Sequence, residues 1–120
     1  MRYRTLYTTR TVLAVLLCCG WLSSAQAHAH LRGSTPTEGA VLKSAPAELV
    51  LQLSEPARLT AVSIQRAGDA RRPLRAPEAA ASEIRLALPA LTAGKYLVSW
   101  RALSDDGHVT SGTLHFTLQP

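Results

Sequence analysis

Nine residues near the C-terminus restrict the fold more than any other stretch. Lys95 to Leu103 sets Tyr96, Val98 and Trp100 against Ser99 and Arg101, the period-two signature of a strand with one face in a core. Shorter runs repeat it. Glu48 to Ser54 carries Leu49, Leu51 and Leu53 on one face, Glu83 to Leu88 carries Ile84, Leu86 and Leu88, and Thr113 to Leu118 carries Leu114, Phe116 and Leu118. Leu59 to Arg66 is β-rich, with Val62 and Ile64 facing together. His28 to Ser34 reads as a short strand closed by the turn chemistry of Thr35-Pro36-Thr37-Glu38-Gly39, and Ala40 to Leu42 re-enters briefly. Glu55-Pro56 is expected to end the strand before it, and Gly68-Asp69 to turn the chain. Ala70 to Ala81, with Pro73, Pro77 and an alanine run, reads as a loop with a short edge strand. No helical period is sustained and nothing repeats internally. These short alternating strands between Pro/Gly turns predict an all-β sandwich or barrel.

The first 27 residues do not belong to that domain. Arg2, Arg4 and Arg10 precede a short apolar run from Thr11 to Leu22, and Ser23 to Ala27 ends in the small-x-small pattern of a signal-peptide cleavage site. The run falls short of the roughly 20 residues of a membrane span. Residues 1–27 are therefore expected to be a signal peptide cleaved after Ala27, leaving 28–120 as one β-domain. Both cysteines, Cys18 and Cys19, lie in the leader, and Leu17 before Cys18 does not suit a lipoprotein signal. The exported chain has neither disulfide nor thiolate, so its core alone must hold it. Losing the three leader arginines leaves ten basic residues against eight acids, a net charge of +2. Only Arg71, Arg72 and Arg75 cluster, without aromatics, so nucleic acid is excluded as a partner and the cluster reads as a solvated loop.

Cleavage ahead of His28 has a chemical consequence. A terminal histidine offers its α-amine and its imidazole to one metal, which no internal histidine can do. Asp106-Gly107-His108 offers a carboxylate and a second imidazole, pointing the same way if the backbone there is extended. His28, Asp106 and His108 together supply three nitrogens and one oxygen, a set suited to tetragonal Cu(II) if folding unites them. Binding must displace protons from an amine near pKa ~8 and imidazoles near ~6.5, so affinity is expected to fall with pH through that range. His30 leaves an alternative open. An amine with a histidine at the third position binds Cu(II) or Ni(II) by itself, through deprotonated backbone nitrogens of Ala29 and His30, if those amides are free. His115 alternates with Leu114 and Phe116 and reads as a surface histidine. Trp100 and Tyr96 read as core, and Glu55 as the cap of a strand end.

The residues of two regions carry a resemblance. Gly94-Lys95-Tyr96-Leu97-Val98-Ser99-Trp100-Arg101, Ser104-Asp105-Asp106-Gly107-His108, and Ser111-Gly112 with Phe116 resemble the CopC family of periplasmic copper-resistance proteins. So do His28-Ala29-His30-Leu31, Ser34-Thr35-Pro36 through Gly39 and Pro46, and Leu51-Gln52-Leu53-Ser54-Glu55, whereas residues 66–90 match weakly. The resemblance implies a small Greek-key β-sandwich, immunoglobulin-like and cupredoxin-like in outline. It also implies a periplasmic Cu(II)-binding role in copper homeostasis and resistance, and a CopD-type inner-membrane copper-transport protein as partner. Two departures stand out: Val109 replaces a proline expected after Asp-Gly-His, and the exported chain has no methionine. Soft thioether ligands are what Cu(I) selects, so one Cu(II) site and no Met-rich Cu(I) site are expected.

Catalysis is not expected. No Gly-rich phosphate loop, nucleophile elbow or HExxH is present. A terminal-histidine copper site also resembles that of lytic polysaccharide monooxygenases, but Asp106 would fill the position oxygen needs. A metal-free immunoglobulin-like interaction module is the third reading, and it leaves His28 without a purpose. A monomer is expected rather than an oligomer.

Overall fold

The computed structural model describes residues 29–120, and the leader expected over 1–27 lies outside them, as does His28. Seven strands form: β1 (Leu31–Thr35), β2 (Ala40–Leu42), β3 (Glu48–Arg66), β4 (Arg72–Pro73), β5 (Ala81–Ala87), β6 (Gly94–Ser104) and β7 (Val109–Leu118). The main hydrogen-bonded path runs β1-β3-β6-β7-β2, with β4 and β5 on β3 alone. All pairings are antiparallel except β2 with β7. β1 and β2 follow one another in sequence yet lie at opposite ends of the path, a crossing consistent with the expected β-sandwich.

β3 is the spine of this sheet. Its first half pairs with β1 on one edge and β5 on the other, Leu51 facing both Ser34 and Ile84. Its second half pairs with β6 and β4, Ser63 facing both Ser99 and Pro73. The expectation that Glu55-Pro56 ends a strand is therefore corrected, because one strand of 19 residues runs through it. The physical reason lies in the register. Glu55 and Pro56 have no cross-strand partner, so proline's missing N–H costs no ladder bond. What the dipeptide marks is the point where β3 changes partners and the sheet curls over.

The curl encloses one core. Leu49, Leu51, Ile84 and Leu86 from one arm and Val62, Ile64, Val98, Leu114 and Phe116 from the other fall in a single buried cluster. The alternation in the sequence predicted these inward faces. Tyr96 and Phe116, opposite one another in the β6–β7 register, stack with ring centroids 5.2 Å apart. The Tyr96 hydroxyl donates to the carbonyl of Thr92 (2.5 Å) and accepts from its amide (3.0 Å), tying down the loop before β6. The loop of Ala70 to Ala81 carries the expected edge strand as β4, and Arg71, Arg72 and Arg75 are solvated. β7 starts four residues earlier than the Thr113 expected, because its register with β6 continues to Leu103↔Val109.

Trp100 and Gly112 are paired across β6 and β7. The indole is buried against that glycine, and a methyl there would lie 2.6 Å from Trp100 Cζ2. A neighbour locked in the core cannot give way at that distance. Gly112→Ala is expected to cost about 1–3 kcal/mol, the usual range for overpacking, as a lowered midpoint in urea denaturation. An unchanged midpoint would mean that the indole swings aside freely.

Candidate metal centre

Asp106 and His108 meet through a turn at Gly107, not through an extended backbone. The reason is the short link from β6 to β7: Gly107 N–H donates to the Ser104 carbonyl (3.0 Å), and Gly107 takes a φ of +85°, a left-handed conformation that suits glycine. The hairpin closes with Ser104 N–H donating to the His108 carbonyl (3.0 Å). Tightening the chain in this way turns the two side chains onto one another, with His108 Nδ1 2.8 Å from Asp106 Oδ2.

The carboxylate is held at its other oxygen too. The buried Ser104 hydroxyl donates to Asp106 Oδ1 (2.5 Å) and lies 3.1 Å from the His108 carbonyl, while the His108 amide donates to the same Oδ1 (3.1 Å). Hydrogen bonds from Ser104 and then from His108 favour the charged form, so Asp106 is held well below the usual carboxylate range. It stays ionised at any pH where a histidine titrates. Asp106 and His108 are each about half exposed, so the pair is ordered by its hydrogen bonds and open to a ligand. The sequence assigns Ser104 no role of its own; a serine two residues before an aspartate is the one signal it offers.

The start of the described chain is fixed just as firmly. Ala29 is 1% exposed and belongs to the core. His30 N–H donates to Ser54 Oγ (2.9 Å), and Ser54 N–H donates back to the His30 carbonyl (2.8 Å). Ser54 stands in the bend of β3. The antiparallel pairing of β1 with β3 begins beside it at Leu31↔Leu53, and the pairing of β6 with β3 begins at Ala57↔Ser104. Ala57 faces β5 through Ala81 on its other side. β1 and β6 therefore lie end to end along one edge of β3, and the start of β1 meets the end of β6 at the gap spanned by Ser54, Glu55 and Pro56. From Leu53 to Ala57 that gap is about 13 Å at the rise of a strand.

Of the residues singled out in the sequence, Asp106 and His108 come together, and His28 lies outside the described residues. Among the described residues no cluster of three His, Cys, Asp or Glu side chains gathers. His115 is not part of this centre. It projects from the solvent face of β7, as read, with its ring 2.9 Å from Glu38 and its amide donating to the same carboxylate (2.8 Å). The donors at the turn are nitrogen and oxygen, and residues 29–120 contain no sulfur. That chemistry fits Cu(II) and gives Cu(I) no soft ligand.

Known proteins share this chain's sequence and fold. Residues 31–119 match the CopC domain family, and the chain belongs to it. It is 36% identical to copper resistance protein C of Pseudomonas syringae pv. tomato over 126 residues, covering 92% of this chain and 97% of that one. Among solved structures, CopC from Methylosinus trichosporium OB3b aligns with a TM-score of 0.65 and 25% identity, over 78% of this chain and 95% of that one. PcoC from Escherichia coli, described as a methionine-rich copper resistance protein, aligns with a TM-score of 0.62 and 30% identity, over 78% of this chain and all of its own. The contrast with this chain is plain, since its one methionine is Met1.

The two hydrogen bonds between His30 and Ser54 can be tested separately. Ser54→Ala removes the hydroxyl acceptor and is expected to cost about 0.5–1.5 kcal/mol in urea denaturation. It should also quicken exchange of the His30 amide with solvent, while the amides of Ser104 to His108 keep their wild-type exchange rates.

Proposed function

We propose that this protein is a periplasmic Cu(II)-binding protein of copper homeostasis and resistance. It sequesters or carries one copper ion at a site built from His28, Asp106 and His108. On this reading cleavage after Ala27 frees the α-amine of His28, which joins its own imidazole, the His108 imidazole and the Asp106 carboxylate. Copper is cargo, bound and released with no bond made or broken in a substrate. A CopD-type inner-membrane protein is the partner this family membership suggests.

The observation that carries the reading is the end-to-end placement of β1 and β6 along β3. Because β1 runs antiparallel to β3, the chain traced backwards from His30 heads along β3 from Ser54 towards Ala57, whose neighbour across the ladder is Ser104. Ser104 in turn holds Asp106. The proposed terminal amine belongs to His28, the residue directly before the core-bound Ala29.

The same contacts count against copper capture by the first three residues alone. That mode needs the His30 amide deprotonated and wrapped around the metal, yet this amide is committed to Ser54 and Ala29 is packed in the core. It would have to break both. Metal binding at Asp106 and His108, by contrast, replaces the contact between Oδ2 and Nδ1 and leaves the Ser104 bond to Oδ1 in place.

Two measurements test the reading. Cu(II) EPR is expected to show a nitrogen-rich tetragonal signal for protein beginning at His28, and to lose it when one extra residue precedes His28; an unchanged spectrum would overturn the terminal ligand. Asp106→Ala combined with His108→Ala is expected to weaken Cu(II) binding by about tenfold or more, since even outer partners of a metal site carry effects of that size. His30→Ala should leave affinity within about twofold. The reverse ranking would assign copper to the first three residues.

A further inference from the structure

Besides the metal centre, β7 presents a feature that the copper reading does not use. β6 pairs with β7 along its whole length, whereas β2 covers its other edge only from Phe116 to Leu118. The direction of the uncovered groups follows from His115. Its amide donates to Glu38 and its carbonyl accepts from Gly39 N–H (2.7 Å), so both point away from β6. Strand geometry repeats every second residue. The amides and carbonyls of Thr113, Ser111 and Val109 therefore point the same way, and among the described residues none of them meets a partner on that side. All three residues are exposed, Val109 at 60%.

Soluble proteins blunt such an edge with lysine, proline, a bulge or a covering segment. Among the described residues none of these protects the stretch from Val109 to Thr113. Val109-Thr110-Ser111-Gly112-Thr113 has no charge and no proline, and its register with β6 is unbroken from Leu103↔Val109 to Trp100↔Gly112 and beyond.

The solvent face beside this edge carries charge of one sign. A groove of about 780 Å³ lies over β3, β6 and β7, lined by the hydroxyls of Ser63, Ser99, Ser111 and Thr113, with Arg71 and Arg101 and no carboxylate. Arg101 is directly across from Ser111, and among the described residues neither arginine is in an ion pair. A strand added to β7 would run two strand spacings from β6, about 10 Å, within the joint reach of an arginine and a glutamate side chain.

We propose that the β7 edge from Val109 to Thr113 receives an extended acidic segment of another polypeptide as an added strand. Main-chain bonds to Val109, Ser111 and Thr113 supply the affinity, as in other strand-addition complexes. Arg101, across β6 from Ser111, selects the carboxylates, and Arg71 adds positive charge farther along the same groove. A second copy of this chain is the poorer occupant, because its own 109–113 segment is neutral and leaves both arginines unanswered. The added strand would start beside His108, so a partner docked here would stand next to bound copper if the function proposed above holds. Docking itself requires no metal.

The test uses copper-free protein, which separates it from the copper reading. The probe is an eight-residue Val/Thr peptide with two glutamates on one face, compared with its lysine counterpart. The glutamate peptide is expected to shift and protect the amides of Val109, Ser111 and Thr113 in NMR spectra, and to bind about tenfold or more tightly than the lysine peptide. Ser111→Pro, which removes the central donor, should abolish binding. Arg101→Glu, a change on the solvent face, should reverse the charge preference, and it keeps the test open if the proline variant fails to fold. Equal binding of both peptides, shifts confined to other residues, or protection of these amides by self-association as protein concentration rises would each overturn the proposal.

Discussion

Everything described for the metal centre depends on one break in a β-ladder. At Ser54, Glu55 and Pro56 the longest strand of the molecule gives up its partners on one edge and acquires new ones. Two otherwise unrelated segments, the start of β1 and the end of β6, are thereby brought to the same place. Ser54 converts that proximity into a fixed position by bonding His30 through both amide and hydroxyl. Burial of Ala29 adds a second anchor on the core side. Neither contact is strong alone, since a typical hydrogen bond nets about 1 kcal/mol and an alanine buries little area. Their effect is positional. They hold the start of the described chain against the fold.

The opposite half of the centre is ordered by a different device. A three-residue turn made tight by Gly107 would leave an ordinary Asp-Gly-His sequence solvated and mobile. Here Ser104, buried at the last position of β6, reaches into the turn and fixes one carboxylate oxygen while His108 takes the other. Asp106 is charged before any metal arrives, and His108 is oriented by it. Partners of this kind set the tautomer and direction of an imidazole in metal sites generally. Half exposure leaves both side chains in contact with solvent.

Much of this could be read in the sequence, and the exceptions share a physical cause. The inward faces of β3, β5, β6 and β7 follow from alternation alone, because a sheet with one face in a core imposes period two on its residues. Pro56 misled because proline is expected where strands end, whereas here it occupies a stretch that pairs with nothing. Asp106-Gly107-His108 admits either an extended backbone or a bend at Gly107, and only the closure of β6 onto β7 decides for the turn. Ser54 and Ser104 were invisible as functional residues, since a serine at a strand end has many uses and only the tertiary register shows which of its neighbours it meets. The placement of Ala29 in the core is a property of the curled sheet and has no local signature.

The central claim is that the first residues of the exported chain and the β6–β7 turn hold the same metal ion. Paramagnetic broadening in NMR spectra of the labelled protein reports that directly, because Cu(II) erases signals only in its immediate surroundings. On adding less than one equivalent of Cu(II), the amides of Ala29 to Leu31, Ser54 and Ser104 to Val109 should fade together while those around His115 persist. Broadening confined to residues 29–31, or centred on His115 and Glu38, would contradict the account.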